Sequence, residues 1–330
     1  MAAHLGLHPS TVSLVLNDAP LAAAIPEETK KRILDAAREL DYRPNLYAKY
    51  LFSKKSFTVA VLVPSIGEDY TTDVLAGLDT ALVEKNYAFF LAIHHGDAKL
   101  IHEYPRRLNQ RAVEGFILIN TPVSEPLGAP TVSIGSQPRM GDMVRILVDN
   151  YRGGQLAAEH VLSLGHRQIA VIKGHPWRPA SEERWRGIED TVLRAGLRID
   201  HRLVMQLNDE GNRQLPSTPS EGYQCAKSLL ASGVPFTALL AFNDLTALGA
   251  MRALHEAGRR VPEDVSVVGF DDAKAAAYSI PGLTTLRQPL REMGALAGEH
   301  LLQLIDANLL MSDDITLEPE LVVRESTAKL

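Results

Sequence analysis

Four side chains in this sequence stand where they could together bind one small molecule. Asn243 and Asp271 each come directly after a run of apolar residues, and Arg184 and Tyr70 follow two other such runs. If these runs are parallel strands of an open sheet, a ligand would bind beyond their carboxyl ends, where the four side chains would meet. A carboxylate, an amide and a planar guanidinium can bind several sugar hydroxyls or a polar ring, and a tyrosine offers an apolar face for stacking. The sequence therefore favours a binding cleft.

An enzyme is a weaker interpretation of the same residues. The adjacent acids Asp271 and Asp272 could act as general acid and base, but neighbouring side chains in an extended segment point to opposite sides. His94 and His95 could be metal ligands, yet the sequence places no third ligand beside them, and a surface pair is favoured. The sequence contains no phosphate-binding loop, dinucleotide fingerprint or nucleophile elbow. We therefore expect no catalytic residue, no metal site and no cofactor.

Short runs rich in Val and Ile alternate with helical patterns from Phe57 onward. The runs are nearly continuous, as in strands that are buried on both faces, and the alternation predicts a doubly wound α/β architecture. Strands are predicted at 58–63, 115–119, 131–134, 146–148, 169–172, 238–242, 265–270 and 321–323. Helices are predicted near 73–85, 153–164, 183–195, 221–232, 244–257 and 289–308, with a loop at 207–221.

Composition sets limits on the class of protein. A chain of 330 residues with 45% hydrophobic residues suggests two domains, or two domains and a small appendage. No apolar run approaches the roughly 18 residues of a membrane span. The single cysteine, Cys225, excludes an internal disulfide framework, and the first residues lack a secretory signature, so a cytoplasmic location is expected. Residues 1–57 carry eight Lys or Arg against six Asp or Glu, whereas the whole chain has a formal net charge of −6, which permits local DNA contact by the head.

Residues 1–43 carry three helical patterns and no strand-like run. Gly6 interrupts the first pattern, and Pro9 suits the first turn of the second. Two short helices around a glycine form the helix-turn-helix geometry, whose second helix enters the major groove of DNA, although the pattern alone fits a small helical cap on the α/β body equally well. The third pattern covers 27–40. Its predicted apolar face consists of Ile33, Leu34, Ala37 and Leu40.

A set of motifs runs in order along the whole chain. In the first sixty residues the motifs lie at 10–17 and 41–51. In the remainder they lie at 148–150, 164–167, 242–244, 248–254, 261–272, 281–285, 288–289 and 321–324. Together they resemble the lactose-repressor (LacI/GalR) family of bacterial transcription regulators. The resemblance implies a two-lobed, periplasmic-binding-protein-like (type I) α/β body with parallel sheets, preceded by a small all-α helix-turn-helix head. The implied domains are a DNA-binding head at 1–43, a hinge helix or linker at 44–57, and a two-subdomain effector-binding and dimerisation domain at 58–330.

The resemblance implies DNA contacts from the second helix of the head. Family members read bases from the positions of Pro9, Ser10 and Leu14 in this sequence. Many members have an arginine at the position of Leu14, so a different base preference or a weaker direct readout is expected here. Further phosphate or base contacts are implied for Thr11, Ser13 and Asn17.

The hinge is implied to become helical on operator DNA, where Leu51 matches a residue that wedges into the minor groove. The other hinge residues expected at the DNA interface are Asn45, Ala48 and Lys49. One departure concerns the first helix, which would cover only Met1 to Leu5, whereas members have about half a dozen residues before that point. A translation start that lies further upstream is favoured over an impaired head.

The same resemblance implies that Arg184, Asn243 and Asp271 contact an effector in the body. Asn150, Tyr70 and Arg178 are further candidates for this site. Arg178 could instead be a solvated loop charge. If it points inward, a phosphate, carboxylate or purine effector becomes more plausible. For Asp271 the alternative role is a cap on the following helix.

The function that the resemblance implies is a sequence-specific DNA-binding transcription regulator, with a repressor favoured, controlled by a sugar or sugar derivative bound between two subdomains. Its expected partners are near-palindromic operator DNA and a second copy of the chain, because symmetry in the protein mirrors symmetry in the DNA. The alternative is a cytoplasmic solute-binding protein of the same fold with a non-functional head. A third and weaker possibility is an enzyme that acts on the bound sugar or nucleoside.

Overall fold

The computed structural model describes residues 1–16, 20–42, 55–138, 140–141, 143–208, 217–307 and 314–330. The chain divides into two compact units, Met1–Ser56 and Phe57–Leu330. Among the described residues, no helix combines the length and the apolar character that crossing a membrane would require.

The head is a small helical unit. Its helices are α1 (Ala2–Leu5), α2 (Pro9–Leu16), a short 3-10 helix (Pro20–Ala24) and α3 (Glu27–Glu39). Gly6 ends α1 with a φ of 66°, a left-handed conformation that glycine adopts without strain. Before α2, the Nδ1 of His8 lies 2.7 Å from the Oγ of Ser10, which places His8 at the predicted cap. The predicted break at Gly6 and the helix start at Pro9 are both confirmed.

The core of the head is made by Val12, Val15, Ala22 and Ile33. The predicted apolar face of α3 is wrong in part, because Leu34 and Leu40 are exposed while Ala36 is buried. Ile33 and Ala36 are three residues apart and therefore share one helix face, whereas Leu34 lies about 100° around the helix from Ile33.

The body contains two six-stranded sheets with helices between the strands. The strands are β1 (Thr58–Val63), β2 (Ala88–Ile93), β3 (Phe116–Ile119), β4 (Thr131–Ile134), β5 (Val144–Val148), β6 (Ile169–Lys173), β7 (Val204–Gln206), β8 (Ala238–Ala241), β9 (Ser266–Asp271), β10 (Thr284–Arg287), β11 (Ile315–Leu317) and β12 (Glu320–Val322). The helices are α4 (Asp69–Glu84), α5 (Ala98–Asn109), α6 (Asn150–Ser163), α7 (Pro179–Arg194), α8 (Pro219–Ala231), α9 (Asp244–Glu256), α10 (Lys274–Tyr278) and α11 (Leu290–Ala307), with a 3-10 turn at His201–Leu203.

Each sheet belongs to one lobe. The order in the first lobe is β11-β5-β4-β3-β1-β2, and all of its neighbouring strands are parallel. The order in the second lobe is β12-β10-β9-β8-β6-β7, in which the edge strand β12 is antiparallel to β10 and the other described pairs are parallel. The chain passes from one sheet to the other after β5, after β10 and after β11. The predicted two-lobed parallel α/β class, preceded by a helical head, is confirmed.

Four strands were not predicted from the sequence, namely β2, β7, β10 and β11. Strand β10 contains the polar residues Thr284 and Thr285, so it lacks the apolar run by which a buried strand is recognised in a sequence. Both are fully buried because their hydroxyls are hydrogen-bonded, for example from Thr285 to the Oδ1 of Asp244 at 2.5 Å. The predicted loop at 207–221 is too long at its end, because α8 begins at Pro219 after a capping box formed by Thr218 and Glu221.

Helices α6 and α7 pack against each other through glycines. A Cβ on Gly154 would lie 2.2 Å from the carbonyl oxygen of Arg184, and a Cβ on Gly187 would lie 2.1 Å from the carbonyl oxygen of Tyr151. Only glycine permits this approach, which sets the position of the segment that carries Arg184.

Candidate functional site

A cavity of about 230 Å³ opens in the body beyond the carboxyl ends of strands from both sheets. The first lobe contributes residues that follow β1, β3, β4 and β5, and the second contributes residues that follow or end β6, β8, β9 and β10. This is the location that the strand-end argument predicts. The structure brings together all six sequence-predicted residues of the binding site as lining of this cavity: Tyr70, Asn150, Arg178, Arg184, Asn243 and Asp271.

Arg184 lies on the buried face of α7 and is rigidly held. Its Nε donates to the Oδ1 of Asn150 at 2.9 Å, and its Nη1 donates to the carbonyl oxygen of Phe242 at 2.6 Å. The guanidinium carbon lies 3.4 Å from the ring centroid of Phe270, an arrangement that combines stacking with cation–π attraction. Burial lowers the pKa of Arg184 to about 10, while the negative charge of Asp271 acts to raise it. The guanidinium group therefore remains a cation near neutral pH.

Asn150 is the first residue of α6 and is almost fully buried. Its Nδ2 lies 3.0 Å from the Oγ of Ser136 and 3.0 Å from the Oε2 of Glu183. Ser136 follows a strand of the first lobe, whereas Arg184, the partner of the Asn150 Oδ1, belongs to the second. One amide therefore joins the two walls of the cavity.

Asp271 ends β9 in a backbone conformation with a φ of 114°, which is rare for a residue with a side chain and marks stored strain. The Nε2 of Gln288 donates to its Oδ1 at 2.6 Å. Burial raises the pKa of Asp271, and the charge of Arg184 opposes this effect. Asp271 does not cap the next helix, because α10 has Ala273 at its N-cap and no side-chain cap bond. The alternative role of Asp271 as a helix cap is therefore wrong.

The neighbouring Asp272 points away from the cavity. It forms ion pairs with Arg287 at 2.7 Å and with Arg324 at 2.5 Å. The two adjacent acids thus lie in different environments, although both have a positive φ and are not in regular extended backbone.

Asn243 is buried at the N-cap of α9. Its Oδ1 accepts from the backbone N–H of Thr246 at 3.1 Å, and its Nδ2 donates to the Oγ of Ser217 at 2.9 Å. Capping therefore fixes the orientation of this amide.

Asp244 was not among the predicted site residues, although it follows β8 directly after Asn243. It is 1% exposed, and its Oδ2 accepts from the backbone N–H of Ala273 at 2.7 Å. Burial raises its pKa well above the ordinary range. Because this bond holds the turn that follows Asp271, Asp244 is a positioning residue.

Sequence reasoning also missed several lining residues. Gln288 follows β10, a strand that was not predicted, and Glu68 and Trp177 lie in the loops that follow β1 and β6. The signal available for them was their position a few residues after an apolar run. Arg178 lines the cavity rather than standing in open solvent, so its interpretation as a solvated loop charge is wrong.

The head exposes several residues that were assigned to DNA. Pro9, Ser10 and Ser13 are exposed on α2, and Thr11 is half-buried. Leu14 is half-buried and packs against the head's own core, so part of its side chain serves stability. Asn17 and the hinge residues Asn45, Ala48, Lys49 and Leu51 lie outside the described residues. The DNA-binding roles of all these residues stay predictions.

His94 corrects the expectation of a surface histidine pair. It is 1% exposed, with its Nε2 2.9 Å from the Oγ1 of Thr121, whereas His95 is exposed. Within the described parts of the chain, no three histidine, cysteine or acidic side chains come together in a group that could hold a metal ion.

Comparison with known proteins identifies both parts of the chain. Residues 2–45 match the family of bacterial regulatory proteins of the lacI type, and residues 158–327 match the periplasmic binding protein-like domain. The chain is 30% identical to the HTH-type transcriptional regulator RegA of Clostridium saccharobutylicum, over 99% of this chain and 98% of RegA. It is 31% identical to the HTH-type transcriptional repressor PurR of Aliivibrio fischeri, over 96% of this chain and 94% of PurR.

Solved structures agree with this assignment. The lac repressor dimer bound to operator and the anti-inducer ONPF superposes with a TM-score of 0.86 at 26% identity, covering 99% of this chain and 97% of the repressor. The complex of the regulator CelR with cellobiose superposes with a TM-score of 0.74 at 29% identity, covering 98% of each chain. The chain therefore belongs to the lacI family of bacterial regulatory proteins, and it is a DNA-binding transcription regulator rather than an enzyme.

Proposed function

We propose that this regulator is a homodimeric repressor of bacterial transcription whose effector is a sugar or sugar derivative bound between the two lobes. In this proposal residues 1–43 read a near-palindromic operator, residues 44–57 form the hinge, and residues 58–330 bind the effector and the second subunit. Because its target is bacterial DNA, the protein would act in the cytoplasm.

The observation that carries the choice of effector is the chemistry of the cavity wall. Two guanidinium groups, Arg178 and Arg184, face two carboxyl groups, Glu68 and Asp271, so the formal charges of the wall balance. The remaining polar lining consists of amides and hydroxyls, which suit a ligand with many hydroxyl groups. CelR with cellobiose and a LacI family regulator of Enterococcus faecium with bound ribose, 29% identical to this chain, bind sugars in the same fold.

The coupling to DNA would run through the contacts between the lobes. A ligand that touches Asp271 and Arg184 on one side and the Asn150–Ser136 wall on the other would favour one arrangement of the lobes. This arrangement would set the geometry of the hinge segments in the dimer and hence the affinity for the operator. By linkage, operator DNA must change the affinity for the effector by the same factor.

Dimerisation is supported by exposed apolar side chains on the body. Tyr278 is 86% exposed and Ile280 is 97% exposed at and beyond the end of α10. The edge strand β2 also exposes Phe90 and Leu91. A second copy of the chain would cover these surfaces.

The test is selection of bound duplexes from a randomised DNA pool, repeated across a salt series, with and without members of a sugar panel. Enrichment of a palindrome whose binding responds to one sugar supports the proposal. The variant Ser10→Ala should weaken operator binding without changing sugar binding. Only weak, salt-sensitive binding without enrichment would contradict operator recognition and leave the alternative of a solute-binding protein with a non-functional head.

A further inference from the structure

Among the residues that the structure describes, two buried hydrogen-bond donors on side chains that line the cavity lack a partner. Neither the Nε1 of Trp177 nor the Nε of Arg178 has a hydrogen-bond acceptor among the residues that the structure describes. Glu68 and Asp271 line the same cavity and act on the charge of Arg178, but neither accepts a hydrogen bond from its Nε. Buried donors are nearly always satisfied in native proteins, so two neighbouring orphans at a ligand site indicate an acceptor supplied by the ligand.

Backbone hydrogen bonds hold the segment that carries the two donors, and ring contacts join their side chains. The backbone N–H of Arg178 donates to the carbonyl oxygen of His175 at 3.1 Å, and the carbonyl oxygen of Arg178 accepts from Ser181 at 2.9 Å. The Arg178 guanidinium carbon lies 4.8 Å from the centroid of the Trp177 ring. On that ring the imidazole of His175 stacks with a centroid distance of 5.8 Å and an interplanar angle of 16°. These contacts reduce the conformational freedom that a ligand would have to remove on binding.

The chemistry of these donors points to a carboxylate. Guanidinium is a planar fork that binds two oxygens of one group, and the indole N–H adds a third donor, whereas neither side chain can accept. The first turn of α7, at Pro179 and Ala180, lines the same cavity and adds the positive end of a helix. Burial lowers the pKa of Arg178, which means that its charge is incompletely compensated and would gain from an anionic partner.

The charge of the remaining wall limits how negative this partner can be. Burial raises the pKa of both Glu68 and Asp271, so additional negative charge in the cavity is already disfavoured. A single carboxylate adds one negative charge, whereas a phosphate monoester adds nearly two. The monoanion therefore fits this cavity better than the phosphate does.

We propose that the effector is a sugar acid, an aldonate or uronate, whose carboxylate is bound by Trp177 and Arg178 while its hydroxyls contact Arg184, Asn243 and Asp271. This inference rests on the proposed sugar effector and adds the class of sugar. It also gives Arg178 and Trp177 the role of distinguishing an acid from its neutral parent.

The experiment is calorimetric titration of the full-length protein with matched pairs: D-galacturonate with D-galactose, D-glucuronate with D-glucose, and D-gluconate with D-glucose. D-glucose 6-phosphate and hypoxanthine complete the panel. We expect one acid to bind at least about 10-fold more tightly than its neutral parent, as one charge-assisted interaction allows. Arg178→Gln should remove most of this preference while changing the affinity for the neutral parent less than about 3-fold. Trp177→Phe, which retains a smaller aromatic ring and removes the N–H, should have a smaller effect in the same direction.

The matched control is Arg186→Gln, which changes an exposed arginine of α7, the helix that follows Arg178, and should leave both affinities unchanged. Thermal unfolding of each variant verifies that it is folded. Equal affinities for acids and neutral sugars, or an acid preference that survives Arg178→Gln, would overturn the carboxylate site and leave the sugar effector standing. Preferential binding of the phosphate or of hypoxanthine through Arg178 would also overturn it. If no sugar and no sugar acid binds a folded, DNA-binding protein, the sugar effector itself fails.

Discussion

Asn150 accepts a hydrogen bond from the Nε of Arg184 at 2.9 Å, at the point where the chain first leaves the first lobe for the second. The same amide contacts Ser136 of the first lobe at 3.0 Å. The residue that orients the main cation of the cavity is therefore also a contact between the lobes. A ligand that moves Arg184 and a change in lobe geometry would therefore both act on this one side chain.

Asn150→Ala should weaken both the cavity and the fold. It removes one hydrogen-bond partner each from Arg184, Ser136 and Glu183 at a buried position, so we expect the free energy of unfolding to fall by about 1–3 kcal/mol. Sugar affinity should fall about 10-fold because Arg184 is no longer oriented. Urea denaturation and calorimetric titration measure the two effects. Gln110→Ala, at an exposed amide, should change neither, and an unchanged sugar affinity in Asn150→Ala would contradict the positioning role.

Asp271→Asn separates effector binding from DNA binding. Asparagine has the size of aspartate and tolerates a positive φ, so the variant should fold with a melting temperature close to that of the original protein. It replaces a carboxylate acceptor by a neutral amide, and sugar affinity should fall at least about 10-fold. Operator binding without effector should be retained, and the response to effector should be lost. Gel-shift titrations with and without the sugar test this, and an undiminished response would exclude Asp271 from the site.

The sequence predicted residues that line the cavity better than the surroundings that hold them. Asn243 and Asp271 follow strands whose apolar runs are easy to recognise, and the strand-end rule then brings them together. Gln288 was missed because it follows β10, whose threonines are not typical of a buried strand. Asp244 was missed because its partner is the backbone N–H of Ala273, which no pattern of side chains indicates. Likewise, nothing in the pair His94-His95 shows that only the first histidine is buried.

Gly154→Ala tests the close packing of α6 on α7. The added Cβ would lie 2.2 Å from the backbone carbonyl of Arg184, so the two helices must move apart. Overpacking of this kind costs about 1–3 kcal/mol of unfolding free energy, and the shift should also lower sugar affinity because α7 carries Arg184. Denaturation and titration check both results. Arg186→Ala, at an exposed position of α7, serves as the control. A Gly154→Ala protein of normal stability would show that the helices adjust without cost.

Ile280→Glu tests the proposed subunit interface. Ile280 is 97% exposed, so the substitution should leave the folded monomer intact, whereas a buried glutamate would oppose association. We expect light scattering to report a monomer at concentrations where the original protein is a dimer. Operator affinity should then fall by more than about 10-fold, because the two half-sites are no longer linked. Leu193→Glu, at another exposed apolar residue, should remain dimeric. A dimeric Ile280→Glu protein would place the interface elsewhere.

His94 should make the stability of the body depend on pH. Its Nδ1 accepts from the backbone N–H of Gly96 at 3.1 Å, so the neutral ring carries its proton on Nε2, toward Thr121. Burial, reinforced by His95 and opposed by Asp97, lowers the pKa of His94 to about 4 from 6.5. Between these values the unfolded chain binds more protons than the folded one, so this group stabilises the fold above pH 6.5. That contribution, on the order of 2 kcal/mol, is lost as the pH falls toward 4.

His94→Gln removes this titration while retaining an amide that can bond to Thr121. Urea denaturation at pH 6.5, 5.5 and 4.5 should therefore show a shallower loss of stability in His94→Gln than in the original protein. His255→Gln, at an exposed histidine of α9, should retain the full slope. Equal slopes in the original protein and in His94→Gln would mean that carboxyl groups, and not this buried imidazole, govern the acid sensitivity of the body.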